Sequence, residues 1–105
     1  MDKTSRQALL IELEKYLKKK YKKIQKEKKI ADFGVERKFR FDYYIPETQT
    51  VIEVNGGSFM PQGRHTYGKG YENDLMKMNL SIQIGIKYYQ FTYDMLNRGE
   101  YKLFV

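Results

Sequence analysis

Apolar and polar residues alternate without a break from Lys38 to Ile45. Phe39, Phe41, Tyr43 and Ile45 fall on one side, and Lys38, Arg40, Asp42 and Tyr44 on the other. That period of two predicts a half-buried strand. Thr50-Val51-Ile52-Glu53-Val54-Asn55 is β-branched and short enough to be a second strand, and the residues between them, Pro46-Glu47-Thr48-Gln49, make a common hairpin loop. Pairing Ile45 with Thr50 sets Tyr43 opposite Ile52 and Phe41 opposite Val54, which builds one apolar face. On the other face Asp42 then falls opposite Glu53, and Arg40 opposite Asn55. The hairpin is expected within residues 35–55.

Upstream the spacing changes to that of a helix. Leu10, Leu13, Leu17, Tyr21 and Ile24 form one stripe, and Thr4-Ser5 can cap a helix that runs from about Arg6 into the lysines beyond. A basic amphipathic helix is therefore expected within residues 1–29. With a step of about 100° per residue, Glu14 lies about 60° from the stripe centre and Glu12 about 140°. Glu14 is the acid that looks towards the body of the domain. Ile30 to Val35, with Gly34 as punctuation, reads as either a turn or a short strand.

Downstream of the hairpin, residues 56–70 hold five glycines in fifteen positions, on a chain with eight in all. Long loops of this kind in small domains are often functional. A second helix is expected over 71–84, with Tyr71, Leu75, Met78 and Ile82 buried and Gly85 as its C-terminal cap. Gly70, Asp74, Lys77 and Ser81 share an adjoining face. Ile86 to Thr92 is then a strand, joined to the Glu53 strand through a right-handed βαβ crossover. A short helix begins near Asp94. The expectation is one α/β domain over 1–105, with a mixed sheet of three to four strands.

Charge sharpens the picture. The net charge is +7, and Lys18 to Lys29 contains eight lysines and one acid; taking these from the chain's 20 basic and 13 acidic residues leaves 12 of each. The whole excess sits on one segment, the footprint expected of a phosphate-backbone binder, although lysine runs also serve as plain solvated surface. Lys18, Lys19, Lys20, Lys22, Lys23 and Lys26 are the candidate nucleic-acid contacts. The absence of cysteine excludes disulfides, thiolate zinc sites and cysteine nucleophiles, and one histidine cannot build a histidine-rich metal site. No apolar run approaches the ~20 residues of a membrane span. Leu9-Leu10-Ile11 is interrupted at once by Glu12, so no signal peptide is expected and a cytoplasmic setting is.

Against this background Asp42 and Glu53 stand out. Directly opposed residues of an antiparallel pair have Cβ atoms roughly 4.5–5.5 Å apart, and like charges there are destabilising. A hard divalent cation reverses that sign, because it takes carboxylate oxygens. The alternative is a solvated strand face carrying two unrelated acids.

Phe41-Asp42-Tyr43-Tyr44-Ile45-Pro46-Glu47, followed by Val51-Ile52-Glu53-Val54-Asn55-Gly56-Gly57, resembles the core of the PD-(D/E)XK nuclease superfamily. Within it, these stretches resemble small phage and bacterial endonuclease-like proteins grouped with the VRR-NUC, Vsr-like and Holliday-junction-resolvase branches. Gly63-Arg64-His65-Thr66, Gly68-Lys69-Gly70-Tyr71-Glu72, Asp74, Lys77 and Asn79 continue it, and Ile86 to Thr92 with Asp94-Met95 closes it, so it covers about 36–96. It implies a restriction-endonuclease-like core and a DNA endonuclease dependent on Mg²⁺ or Mn²⁺. Asp42, Glu53 and the carbonyl of Val54 would hold the metal. Glu14, Asn55, His65 and Lys77 complete the candidate catalytic set, and Arg64 and Lys69 would hold the strand.

One position departs from the pattern. The superfamily usually has lysine where this chain has Asn55, which cannot take a proton at neutral pH. Lys77 supplies the missing charge, or the metal alone activates water, or catalysis is lost and the protein only binds DNA. His65 has phosphate binding, proton donation and loop anchoring open to it. Branched DNA and a two-fold homodimer are the expected substrate and assembly, with Tyr101 to Val105 as the candidate dimer surface and a mismatch-directed or nicking monomer as the other enzyme reading.

Overall fold

Asp2 starts the first helix, α1 (Lys3–Lys20), by accepting a 2.8 Å hydrogen bond from the Ser5 N–H. The cap thus precedes the expected Thr4-Ser5, because a carboxylate here satisfies a free N–H and also complements the positive end of the helix dipole. Leu13 and Leu17 are fully buried, and Leu10, Tyr21 and Ile24 pack beside them. The expected helix across 1–29 is corrected: α1 ends at Lys20, and Tyr21 is already extended. Continued helix would stack Lys18 on Lys22, Lys19 on Lys23 and Lys22 on Lys26, all like charges four residues apart. Instead Gln25–Lys29 forms strand β1 at the edge of the sheet, a place where lysines discourage further pairing.

The computed structural model describes residues 1–55 and 69–105. After β1 come a 3₁₀ turn (Ile30–Phe33) ending on Gly34 at φ +85°, β2 (Arg40–Ile45), β3 (Thr50–Asn55), α2 (Lys69–Gln83), β4 (Lys87–Thr92), α3 (Tyr93–Asn97) and a final 3₁₀ turn (Glu100–Leu103). The sheet runs in order β1-β2-β3-β4. Its first three strands are antiparallel and β4 is parallel to β3. The hairpin register is the expected one, with Ile45 opposite Thr50 and Tyr43 opposite Ile52.

The single apolar face is not what forms. Tyr43, Ile45 and Ile52 meet Leu13 and Leu17 of α1, together with Phe91, Leu96, Tyr101 and Val105. Phe41, Tyr44 and Val51 meet Ile30 and Ile86, with Leu80 and Ile84 of α2 packed against them. The sheet is covered on both sides, so Tyr44 has a core to enter, and the alternation of β2 breaks at Asp42 between Phe41 and Tyr43.

α2 is also turned from its expected orientation. Ile82 is 63% exposed, whereas Ser81 is fully buried and Lys77 faces the sheet. A charged group on the covered sheet face, Glu53, draws the polar side of the helix inward. Gly85 caps the helix as expected, at φ +83° with its N–H donating to the Ile82 carbonyl. At the other end of the chain Tyr101 and Val105 belong to the core, which corrects their assignment to a dimer surface; Leu103 and Phe104 are the exposed apolar residues there. Lys20 Nζ and Tyr21 Oη both donate to the Val105 carbonyl oxygen, at 2.7 and 2.9 Å. No described helix is long and apolar enough to cross a membrane.

Candidate active site

The regular pairing of β2 and β3 runs from Ile45–Thr50 to Tyr43–Ile52. Beyond it side chains take over from backbone. Val54 N–H donates to Asp42 Oδ2 at 2.8 Å, and Asp42 N–H donates to Glu53 Oε2 at 3.3 Å. Each carboxylate is thus held by an N–H of the neighbouring strand, a charge-assisted contact that fixes its position. The hairpin brings the two acids together, but not as a directly opposed pair on one face: the regular pairing stops at Tyr43–Ile52, and Asp42 and Glu53 meet through side chain to backbone contacts.

Glu53 is buried on the α2 side of the sheet, 6% exposed. Burial pushes its pKa up to about 8, the hydrogen bond and charge of Asp42 push the same way, and Lys77 opposes them. The rise wins because the cost of burying the charge, with Asp42 added to it, outweighs the attraction of a single ammonium. Lys77 Nζ donates to Glu53 Oε1 at 2.6 Å and to the Arg40 carbonyl at 2.8 Å, so α2 is pinned to both β3 and β2 through one nitrogen. Tyr88 and Gln90 stand nearby on β4. Gln90 is in register with Glu53 and donates to Tyr88 Oη at 3.0 Å, and burial, with the Glu53 charge next, raises the Tyr88 hydroxyl above its ordinary range. Neither residue is marked by any local motif; only the parallel pairing of β3 with β4 brings them in.

On the α1 side Asp42 and Val54 line an open cleft of about 280 Å³ together with Glu14, Lys26, Glu27 and Tyr43. Glu14 turns inward, as the helical geometry predicted. Its Oε2 accepts from Tyr43 Oη at 2.8 Å, and its Oε1 lies 3.4 Å from Lys26 Nζ. Burial, and after it Glu14, raises the Tyr43 hydroxyl far above its ordinary range, so Tyr43 stays a donor. Glu53 lies behind this cleft and Asp42 stands between the two sides.

The candidate lysines do not act as one stripe. Lys18 and Lys19 are exposed at the end of α1, and Lys22 and Lys23 are exposed after it. Lys20 donates to the Val105 carbonyl, and Lys26 turns to Glu14 in a loose, exposed contact. Arg64 and His65 lie outside the described residues, as do the side chains of Asn55 and Lys69.

Asp42 and Glu53 are the residues that could hold a hard divalent cation, since two carboxylates meet beside a single ammonium; the atoms now set against them are the nitrogens of Val54, Asp42 and Lys77. Among the described residues no three His, Cys, Asp or Glu side chains converge, so a cation here would rely on two carboxylates and backbone or solvent oxygen. Searches against family models, curated proteins and solved structures find no match to this chain, and its chemistry is read from the site itself.

Proposed function

We propose that the protein is a metal-dependent endonuclease that hydrolyses DNA phosphodiester bonds. The observation that carries this is the convergence of Asp42, Glu53 and Lys77 from β2, β3 and α2 within hydrogen-bonding distance of one another or of one another's backbone. A helix, three antiparallel strands, a helix and a parallel fourth strand, with acids on the second and third strands, is also the order of a PD-(D/E)XK core. Bound between Asp42 and Glu53, with the Val54 carbonyl as a further ligand, Mg²⁺ or Mn²⁺ would supply a Lewis acid and lower the pKa of water.

The chain's own residues would do the rest. Lys77 offsets the negative charge of Glu53 and would supply the charged donor that the superfamily usually carries at the position of Asn55. Asn55 orients water, and Arg64, His65 and Lys69 hold the strand. Glu14, fixed by Tyr43, sits on the open side as a proton acceptor. A domain this small selects DNA by shape rather than by base sequence, and branched DNA cut by a two-fold dimer in the cytoplasm is the reading we adopt.

One observation favours a second reading, a DNA-binding module without catalysis: the Glu53 carboxylate is already engaged by Lys77 at 2.6 Å. Purified protein incubated with labelled junction, nicked and linear DNA in Mg²⁺, Mn²⁺ or EDTA separates the two. The hydrolase reading expects metal-dependent cuts that fall on the order of a thousandfold in Asp42→Ala and Glu53→Ala, the loss of several kcal/mol of charge stabilisation. DNA retention without cuts in any metal would establish the second reading instead.

A further inference from the structure

We infer that a second cleft, of about 240 Å³ and lined by Lys29, Ala31, Arg37, Lys38, Phe39 and Arg40, is a subsite for the nucleic-acid backbone phosphate next to the one held at Asp42. The inference rests on the nuclease reading for its substrate, but the subsite is argued from its own residues. Four of its six lining residues are cationic and none is acidic. Asp32, a nearby acid, is drawn to Lys28 at 3.4 Å. Lys29 and Arg40 are direct cross-strand partners, a like-charge opposition that works against the fold. An anionic ligand turns that opposition into a binding site, and two guanidiniums with two ammoniums suit a phosphodiester.

The walls are set by backbone contacts. Ile30 N–H donates to the Phe39 carbonyl at 3.0 Å, and Arg37 N–H donates to the Val35 carbonyl at 2.8 Å. Phe39 and Phe41 both pack into the core on the α2 side, so Arg40 between them points to the α1 side, where the Glu14–Asp42 cleft opens. Arg40 precedes Asp42 by two residues on β2, a separation of about 6.6 Å along a strand, on the order of one nucleotide step. The Arg40 carbonyl meanwhile accepts from Lys77, the same nitrogen that holds Glu53, so subsite and acids share one rigid frame. Arg37, Lys38 and Arg40 lie outside the lysine run, and β1–β2 pairing brings its last member, Lys29, beside them.

The test uses the full chain in EDTA, so that binding is read whether or not the protein cuts. A labelled duplex is titrated across a range of salt against wild type, against Lys29→Ala/Arg37→Ala/Lys38→Ala/Arg40→Ala, and against Lys18→Ala/Lys19→Ala/Lys22→Ala/Lys23→Ala. All eight positions are exposed, and a thermal melt checks that each variant folds. The subsite variant is expected to lose at least about tenfold in affinity and to flatten the log–log salt slope by about 2 to 4, the count of phosphates no longer neutralised. The lysine-run variant is expected to lose less. Equal affinity and slope in wild type and the subsite variant would overturn the inference. So would binding of inorganic phosphate that depends on these four residues while duplex affinity does not, which would make the cleft a free-anion pocket. If DNA binding depends on the cleft but no metal supports cutting, the subsite stands and only the hydrolase reading fails.

Discussion

Two acid–lysine contacts flank Asp42, one on each side of the sheet, and they are built differently. On the α1 side Glu14 and Lys26 meet at 3.4 Å, with the lysine side chain 59% exposed at the mouth of a cleft. On the α2 side Glu53 and Lys77 meet at 2.6 Å, with side chains only 8% and 16% exposed. Water screens the first pair, so its attraction is small and its members are free to exchange partners. The second pair has left water behind, and neither member can be removed without stranding the other. The difference assigns roles. On the proposed nuclease reading, the buried pair would hold charge in place beneath the sheet and the open side would admit the substrate.

The largest effect comes from breaking the buried contact. In metal-free protein at pH 9, where Glu53 is ionised, Lys77→Met is expected to cost about 3–5 kcal/mol, because a carboxylate is left buried without its cation. Lys26→Met, on the open side, is expected to cost under about 1 kcal/mol. Urea unfolding of the two variants measures both, and equal costs would break the distinction between the sides.

A smaller effect follows from pH. The folded Glu53 pKa, about 8, lies above its ordinary 4.5, so between those values the folded chain holds a proton that the unfolded chain has released. The Glu53 contribution is therefore fully present below about pH 4.5 and is lost as pH rises through 8. Metal-free wild type is expected to lose stability over that window by on the order of a few kcal/mol relative to Glu53→Gln. Parallel stability profiles for the two proteins would contradict the assigned shift.

How much of this was readable from the chain depends on the kind of pattern each element carries. The hairpin register was legible because alternation and loop length both constrain it, and Glu14 because a helical stripe has a computable centre. Gln25-Lys26-Glu27-Lys28-Lys29 carries no apolar alternation, so nothing local marks it as a strand; it forms because β2 offers a free edge. The rotation of α2 was hidden for a related reason. Its apolar stripe competes with a polar face whose partner, Glu53, is sixteen residues before the helix begins. Lys77 was legible as a candidate only through the family resemblance and its helical neighbours, and its double contact with Glu53 and the Arg40 carbonyl emerges from packing.

The central claim is that Asp42 and Glu53 together make a cation site, and calorimetric titration with Mn²⁺ tests it without asking for activity. At pH 7, in buffers of differing ionisation enthalpy, wild type is expected to bind Mn²⁺ with release of close to one proton, because the raised carboxyl must ionise to ligate. Asp42→Ala and Glu53→Ala are each expected to abolish that heat. Mn²⁺ binding of undiminished strength in both variants, or no binding by folded wild type, would contradict the account.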